Sequence, residues 1–175
     1  MSTQEFIIRR TIEIDSGHRI PDHKSKCFNV HGHRYRIEAV VAGPIQTEGQ
    51  EAGMVMDFGF IKEIMMKEIH EPCDHAMIWF KDDPLYNTLF VEHPDHRVAQ
   101  IGGWKNYVID CVPTAENLAM HWFNRIHKGM SKWFGDSPHA AYIKLIQVNV
   151  HETPNCMASY PYDAPATQVR SGGPL

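Results

Sequence analysis

Two stretches of alternating hydrophobicity, separated by a short polar loop, limit what this chain can fold into. Phe6, Ile8, Ile12 and Ile14 alternate with Arg9, Thr11, Glu13 and Asp15, a period of two that marks a half-buried strand with Arg10 as the exception. The parity of that strand carries on to His18. From Arg19 to Val30 runs a polar loop containing Pro21, after which Tyr35, Ile37, Ala39 and Val41 form a second strand that Gly43-Pro44 ends. Strands this close in sequence are expected to pair antiparallel.

Helical spacing follows. Asp57 is a good N-cap for a helix carrying Ile61, Ile64, Met65 and Ile69, which Pro72 stops. Thr114, after Pro113, caps a second helix with Leu118, Trp122 and Ile126 on one side and its end at Gly129. Between them, Phe80 to Val112 reads as a long excursion with a short strand at Tyr107 to Ile109. Tyr142, Ile146, Val148 and Val150 alternate in a third long strand, and Met157 to Tyr160 form a short fourth. The expectation is one α+β domain over residues 1–160, ordered ββααββ, with an antiparallel sheet, two helices on one face, an insertion at about 80–112 and a flexible tail over 161–175.

Composition narrows the class of function. The 175 residues are 43% hydrophobic and 22% charged, in the globular range and away from disordered or fibrous chains. No apolar run approaches the roughly 20 residues that cross a bilayer, and the start does not read as a secretory signal. Four cysteines, Cys27, Cys73, Cys111 and Cys156, are far apart and form no CxxC pair, which fits reduced thiols and a cytoplasmic protein. The net charge of −4 argues against a nucleic-acid partner. The charge is uneven, however: residues 1–36 sum to +3 and the remainder to −7, a local field suited to an anionic small ligand.

Twelve histidines raise the question of a metal. His31 and His33 stand two apart on the second strand, so both imidazoles leave one face about 7 Å apart at the backbone. That spacing can converge on one ion with Zn–N bonds of about 2.0–2.1 Å. Antiparallel pairing with the first strand brings His18 beside them. Three histidines that leave a fourth tetrahedral position open make a catalytic rather than a structural zinc pattern.

The ordered set His18, Cys27-x-x-x-His31-Gly-His33, Gly53-Met-Val-Met-Asp57-Phe58, Asp74-His75, Pro113-Thr114-Ala-Glu116-Asn117 and His151-Glu152-Thr153 resembles the 6-pyruvoyltetrahydropterin synthase and 6-carboxytetrahydropterin synthase family. The resemblance covers about Phe6 to Tyr160. It implies the tunnelling fold, with sheets of several subunits joined into a barrel in a homohexamer whose active sites lie between subunits. It implies a Zn2+ ion on His18, His31 and His33, the substrate 7,8-dihydroneopterin triphosphate, and catalytic roles for Cys27, Asp74 and His75. Glu152 matches the glutamate that anchors the pterin, and Thr114 and Glu116 match further substrate-binding positions. Three residues between the cysteine and the HGH motif resemble the bacterial 6-carboxytetrahydropterin synthases of queuosine biosynthesis, whereas five resemble the 6-pyruvoyl enzymes of tetrahydrobiopterin synthesis. The implied activity is that of a lyase releasing acetaldehyde and triphosphate, with the 6-pyruvoyl reaction as the alternative.

Two departures stand out. Ala76-Met77-Ile78-Trp79 follows Asp74-His75 where the family has x-x-Leu-Asn, and the excursion from Phe80 to Val112, with His93 and His96, is longer than in compact bacterial members. A rival from another class, a cupin-type oxygenase, would use His31-x-His33 with Glu38, but Glu38 has the opposite strand parity to both histidines. A non-catalytic pterin- or metal-binding module would need neither Cys27 nor Asp74-His75.

Overall fold

The computed structural model describes residues 4–92 and 102–161. The tail beyond Pro161 and the histidines at 93 and 96 lie outside the described residues.

Strand β1 (Glu5–His18) and strand β2 (His31–Pro44) pair antiparallel over their whole length, from Glu5 opposite Pro44 to His18 opposite His31. On one face Ile12, Ile14, Tyr35, Ile37, Ala39 and Val41 are buried; on the other stand Glu13, Asp15, Arg34 and Arg36. The alternation of the sequence is therefore the alternation of the sheet.

Helix α1 (Phe58–Met65) starts where Asp57 accepts a hydrogen bond from Gly59 N, and continues through a wide π turn (Met66–His70) into the short α2 (Glu71–Cys73). Pro72 sits inside that last turn, one residue before the end. Strand β3 (Met77–Phe80) follows, then the short helix α3 (Pro84–Tyr86) and strand β4 (Asn106–Ile109). Helix α4 (Ala115–Phe134), capped by Thr114, runs past Gly129 to a left-handed Gly135. Strands β5 (Lys144–Thr153) and β6 (Cys156–Pro161) close the fold as an antiparallel hairpin.

The sheet order is β4-β3-β1-β2-β5-β6. Four antiparallel strands carry the expected layout, and β3 and β4 extend it by parallel pairing onto β1 and onto each other. β3 was not expected, because a run of four apolar residues has no readable period. In β5 the expected parity fails at one point. A bulge opposite Val40 and Val41 makes Ile146 the extra residue, so Leu145 faces the core with Val148 and Val150. Both long helices cover the same face, with Ile61, Ile64, Met65 and Ile69 of the α1 region and Leu118, Trp122, Ile126 and Met130 of α4 in one hydrophobic core. No helix among the described residues is long and apolar enough to cross a membrane.

Gly129 is a place of close helix–helix approach, not a helix end. A Cβ built there would lie 2.6 Å from Ile64 Cγ2. Gly129→Ala should therefore lower stability by about 1–3 kcal/mol through overpacking, against less than about 1 kcal/mol gained in helix propensity. Ile64→Leu, which removes the branching methyl, should restore most of the loss in a urea titration of the double variant.

Candidate metal centre and active site

His18, the last residue of β1, faces His31, the first of β2, and His33 follows on the same face opposite Ser16. Their ring centroids lie 4.5 Å (His18–His31), 5.2 Å (His18–His33) and 5.0 Å (His31–His33) apart. One ligand nitrogen from each can be chosen so that all lie within 4.8 Å of one another, and this triad is the only group of its kind among the described residues.

Carbonyls select the tautomers. His18 Nδ1 donates to Pro113 O at 2.7 Å and His31 Nδ1 to Asn29 O at 2.8 Å, which leaves each Nε2 with its lone pair. Nε2 of His18 and of His33 are buried without a hydrogen-bond partner. Such orphaned atoms are costly unless something binds them. Burial pushes the His18 pKa down to about 4 and also lowers that of His33, against the Glu152 carboxylate, which raises it. Both rings are thus held neutral, the form that binds a cation. Three converging imidazoles, two of them with orphaned Nε2 atoms, fit a divalent transition metal, zinc included. Tyr35 packs its ring edge-on behind His18 and His33.

Cys27 sits on a single 3-10 turn, Lys26–Phe28, and its carbonyl accepts from Ile20 N at 2.9 Å. It is half-buried, whereas Cys73 is fully buried with its thiol pushed up to about 12 by that burial, a poor candidate for a reactive thiolate. A cavity of about 230 Å3 is lined by His18, Cys27, Thr114, Glu116 and Glu152, five of the expected site residues drawn from four parts of the chain. Glu152 Oε1 lies 3.4 Å from His18 Nε2 and 3.8 Å from His33 Nε2, so the carboxylate borders the metal centre. Thr114 accepts from Asn117 N in its capping role.

Asp74 and His75 are joined to each other but not to this cavity. His75 Nδ1 donates to Asp74 Oδ2 at 2.8 Å, while Asp74 Oδ1 accepts from Asp15 N at 2.9 Å, the main reason its carboxyl titrates below the usual range. His75 has a left-handed φ of 56°, unusual for a non-glycine residue, and its side chain is 78% exposed. The pair lines clefts shared with Asp15 and Arg34. Strand alternation puts those two on the face opposite His18 and His33. Cys27 and His75 of one chain therefore line different cavities, that of His75 reaching Gly32 and His33 from outside the Cys27 cavity.

Other contributors carried no sequence signal. Cys156 and His23 line the Cys27 cavity, Cys156 because the β5–β6 hairpin returns there. Lys105 reaches across 31 residues to donate to Asp74 O at 2.7 Å and to Glu71 O at 2.6 Å, bracing the turn that carries His75. Glu38, the ligand a cupin would need, lies on the opposite face and accepts from Asn149.

A family model described as 6-pyruvoyl tetrahydropterin synthase matches residues 7–163. The 6-carboxy-5,6,7,8-tetrahydropterin synthase of Rickettsia felis is 37% identical over 147 residues, covering 84% of this chain and 94% of that protein. The protein of the same name from Haemophilus influenzae is 27% identical and covers 89% and 98%. Among solved structures, an uncharacterized protein of Wolinella succinogenes matches with a TM-score of 0.70 at 21% identity, covering 91% of this chain and 99% of its own. The 6-pyruvoyl tetrahydropterin synthase of Caenorhabditis elegans matches with a TM-score of 0.60 at 21% identity, covering 92% and 98%.

Two outcomes are expected. His18→Ala should abolish stoichiometric metal binding, read by elemental analysis of protein purified from metal-supplemented medium. In metal-free protein, the unfolded chain takes up the His18 proton near the ordinary value of 6.5 but the folded chain only near 4. Stability should hence be full above about 6.5 and fall as pH drops from there toward 4. Urea midpoints at several pH values check this, and His18→Phe should flatten the dependence.

Proposed function

The chain belongs to the 6-pyruvoyl tetrahydropterin synthase family, and from that premise we propose that it is a zinc-dependent 6-carboxy-5,6,7,8-tetrahydropterin synthase. In this reading it converts 7,8-dihydroneopterin triphosphate and water to 6-carboxytetrahydropterin, acetaldehyde and triphosphate. The observation that carries it is the cavity in which His18, Cys27 and Glu152 meet. The product class follows the relatives named for it and the three-residue spacing in Cys27-x-x-x-His31.

Each residue has a task its surroundings suit. His18, His31 and His33 hold the zinc, which when bound acts as a Lewis acid toward side-chain hydroxyl oxygens of the substrate. Glu152 accepts two parallel hydrogen bonds from the amino and ring N–H groups of the pterin, fixing its plane at the edge of the metal centre. Cys27, as thiolate, removes a proton from the substrate side chain. Asp74 orients His75 through Nδ1 and leaves Nε2 to give or take a proton as triphosphate departs and the carbon–carbon bond breaks. Thr114 and Glu116 line the wall beside the pterin.

Asp74 and His75 serve the cavity of a second copy. Their place outside the Cys27 cavity supports a site shared between subunits, and a homohexamer, its sheets joined into a barrel, is the assembly we propose. The setting is cytoplasmic, in 7-deazapurine (queuosine) biosynthesis.

Zinc-loaded protein given dihydroneopterin triphosphate should yield acetaldehyde and a 6-carboxy pterin by mass spectrometry. A 6-pyruvoyl product would replace this reading with the alternative, and no turnover would sink both. Cys27→Ala and His75→Ala should each lose activity while retaining metal. Refolding the two inactive variants together should recover part of it, because some mixed interfaces then carry both intact groups. Glu152→Gln should keep its metal and raise KM; loss of metal instead would make Glu152 a ligand.

A further inference from the structure

Arg19 directly follows the metal-centre residue His18, yet its side chain turns away from that centre and is nearly buried. Its Nε lies 3.0 Å from Oδ2 of Asp83, a carboxylate with no exposed surface. The two face each other as an ion pair rather than through an aligned hydrogen bond. Asp83 is held in turn, because its other oxygen caps α3 by accepting from Leu85 N at 2.8 Å. The far side of the guanidinium covers the ring of Phe28, with Cζ 4.6 Å from the ring centroid. Phe28 follows Cys27 on the same 3-10 turn, and the next residue after Arg19, Ile20, donates its N–H to the Cys27 carbonyl.

A buried ion pair between residues 64 apart is poor evidence of a gain in stability, since desolvation of both charges offsets most of their attraction. What this one does is geometric. It ties the start of the segment inserted between β3 and β4 to the turn that carries the thiol. Phe28 is 44% exposed, so core packing alone does not hold that turn. The guanidinium is a flat lid over the ring, fixed in place from behind by a carboxylate that cannot move without uncapping α3.

We propose that Asp83 and Arg19 are positioning residues for Cys27, by which the inserted segment sets where the thiol stands in the cavity. This rests on the role given to Cys27 above. A displaced thiolate still lets substrate bind but meets its proton in the wrong geometry, so the loss falls on kcat; a misplacement of about 1 Å costs up to about a hundredfold.

The test uses the full-length, metal-loaded protein with Asp83→Asn, Asp83→Glu and Phe28→Leu. Asp83→Asn keeps a side-chain oxygen for the cap and removes the charge. Phe28→Leu removes the ring at a half-exposed position where folding is little affected. Each variant is assayed for kcat, KM, metal content and melting, and for the rate at which iodoacetamide alkylates Cys27, followed on its own peptide by mass spectrometry. For Asp83→Asn and Phe28→Leu, kcat should fall about tenfold or more with KM within about twofold. Cys27 alkylation should quicken about threefold or more as the turn opens, and metal content should stay at the wild-type level. Asp83→Glu should restore both readings in part. Should Asp83→Asn misfold, Phe28→Leu decides alone. Unchanged kcat and alkylation, or a melting shift alone, overturns the proposal, as does loss of metal, which would mean that the pair acts on His18. Because alkylation is read without substrate, wild-type protein inactive on dihydroneopterin triphosphate would refute the proposed reaction and leave the tie to the Cys27 turn separately measurable.

Discussion

The register between β1 and β2 is the constraint on which the rest depends. With His18 opposite His31, the three imidazoles share one face and one end of the ladder. A slip by one residue would send His31 and His33 to the opposite face and break the site outright. What holds the register is mainly apolar. Ile12, Ile14, Tyr35 and Ile37 all turn inward onto the helices, and burying each such side chain stabilises by about 1.5–3 kcal/mol. Across the other face, Arg34 donates two hydrogen bonds to Asp15 at 2.9 Å, but both side chains are substantially exposed, and solvent screens most of what such a pair contributes. The hydrophobic face thus sets the register and the ion pair refines it.

That register puts the histidines at a cost to the fold. His18 is as deeply buried as the isoleucines beside it, and its Nε2 makes no hydrogen bond to replace those of water. A chain selected for stability alone would carry an aliphatic residue there. The surrounding structure tolerates the imidazoles because carbonyls of Pro113 and Asn29 satisfy Nδ1 of two of them, and because the core of α1, α4 and the sheet is continuous beneath them. Local disagreement with an otherwise consistent pattern is the mark of a functional position.

Local signals were the legible ones. Strand alternation, the Asp57 and Thr114 caps and the convergence of His18, His31 and His33 all follow from residues near in sequence or from one antiparallel pairing. The misreadings share a different cause. Gly129 looks like a helix end in sequence, yet serves a contact with Ile64 that is 65 positions away. Ile146 looked inward until the bulge opposite Val40 and Val41 moved the parity to Leu145. β3 has no period to read, and its place beside β1 depends on His75 N donating to Asp15 O and Gly17 N to Ala76 O. The Asp74–His75 pair was visible as a pair, but nothing in a linear chain says on which side of a sheet it emerges. Nor could spacing reveal that Lys105 and Asp83, both in the excursion, reach the turn carrying His75 and the Arg19 side chain that covers Phe28.

The uneven charge of the first 36 residues acquires a different meaning once the partners are known. Several of those basic residues have a carboxylate beside them: Arg34 has Asp15, Arg9 and Arg36 share Glu38, and Arg19 has Asp83. Lys24 and Lys26, by contrast, stand exposed on the loop that leads into Cys27. Countered charges cancel at a distance, so the two lysines of this loop keep a positive field that the paired arginines do not. A polyanionic substrate would meet that charge on the loop that carries the thiol, on its approach to the cavity.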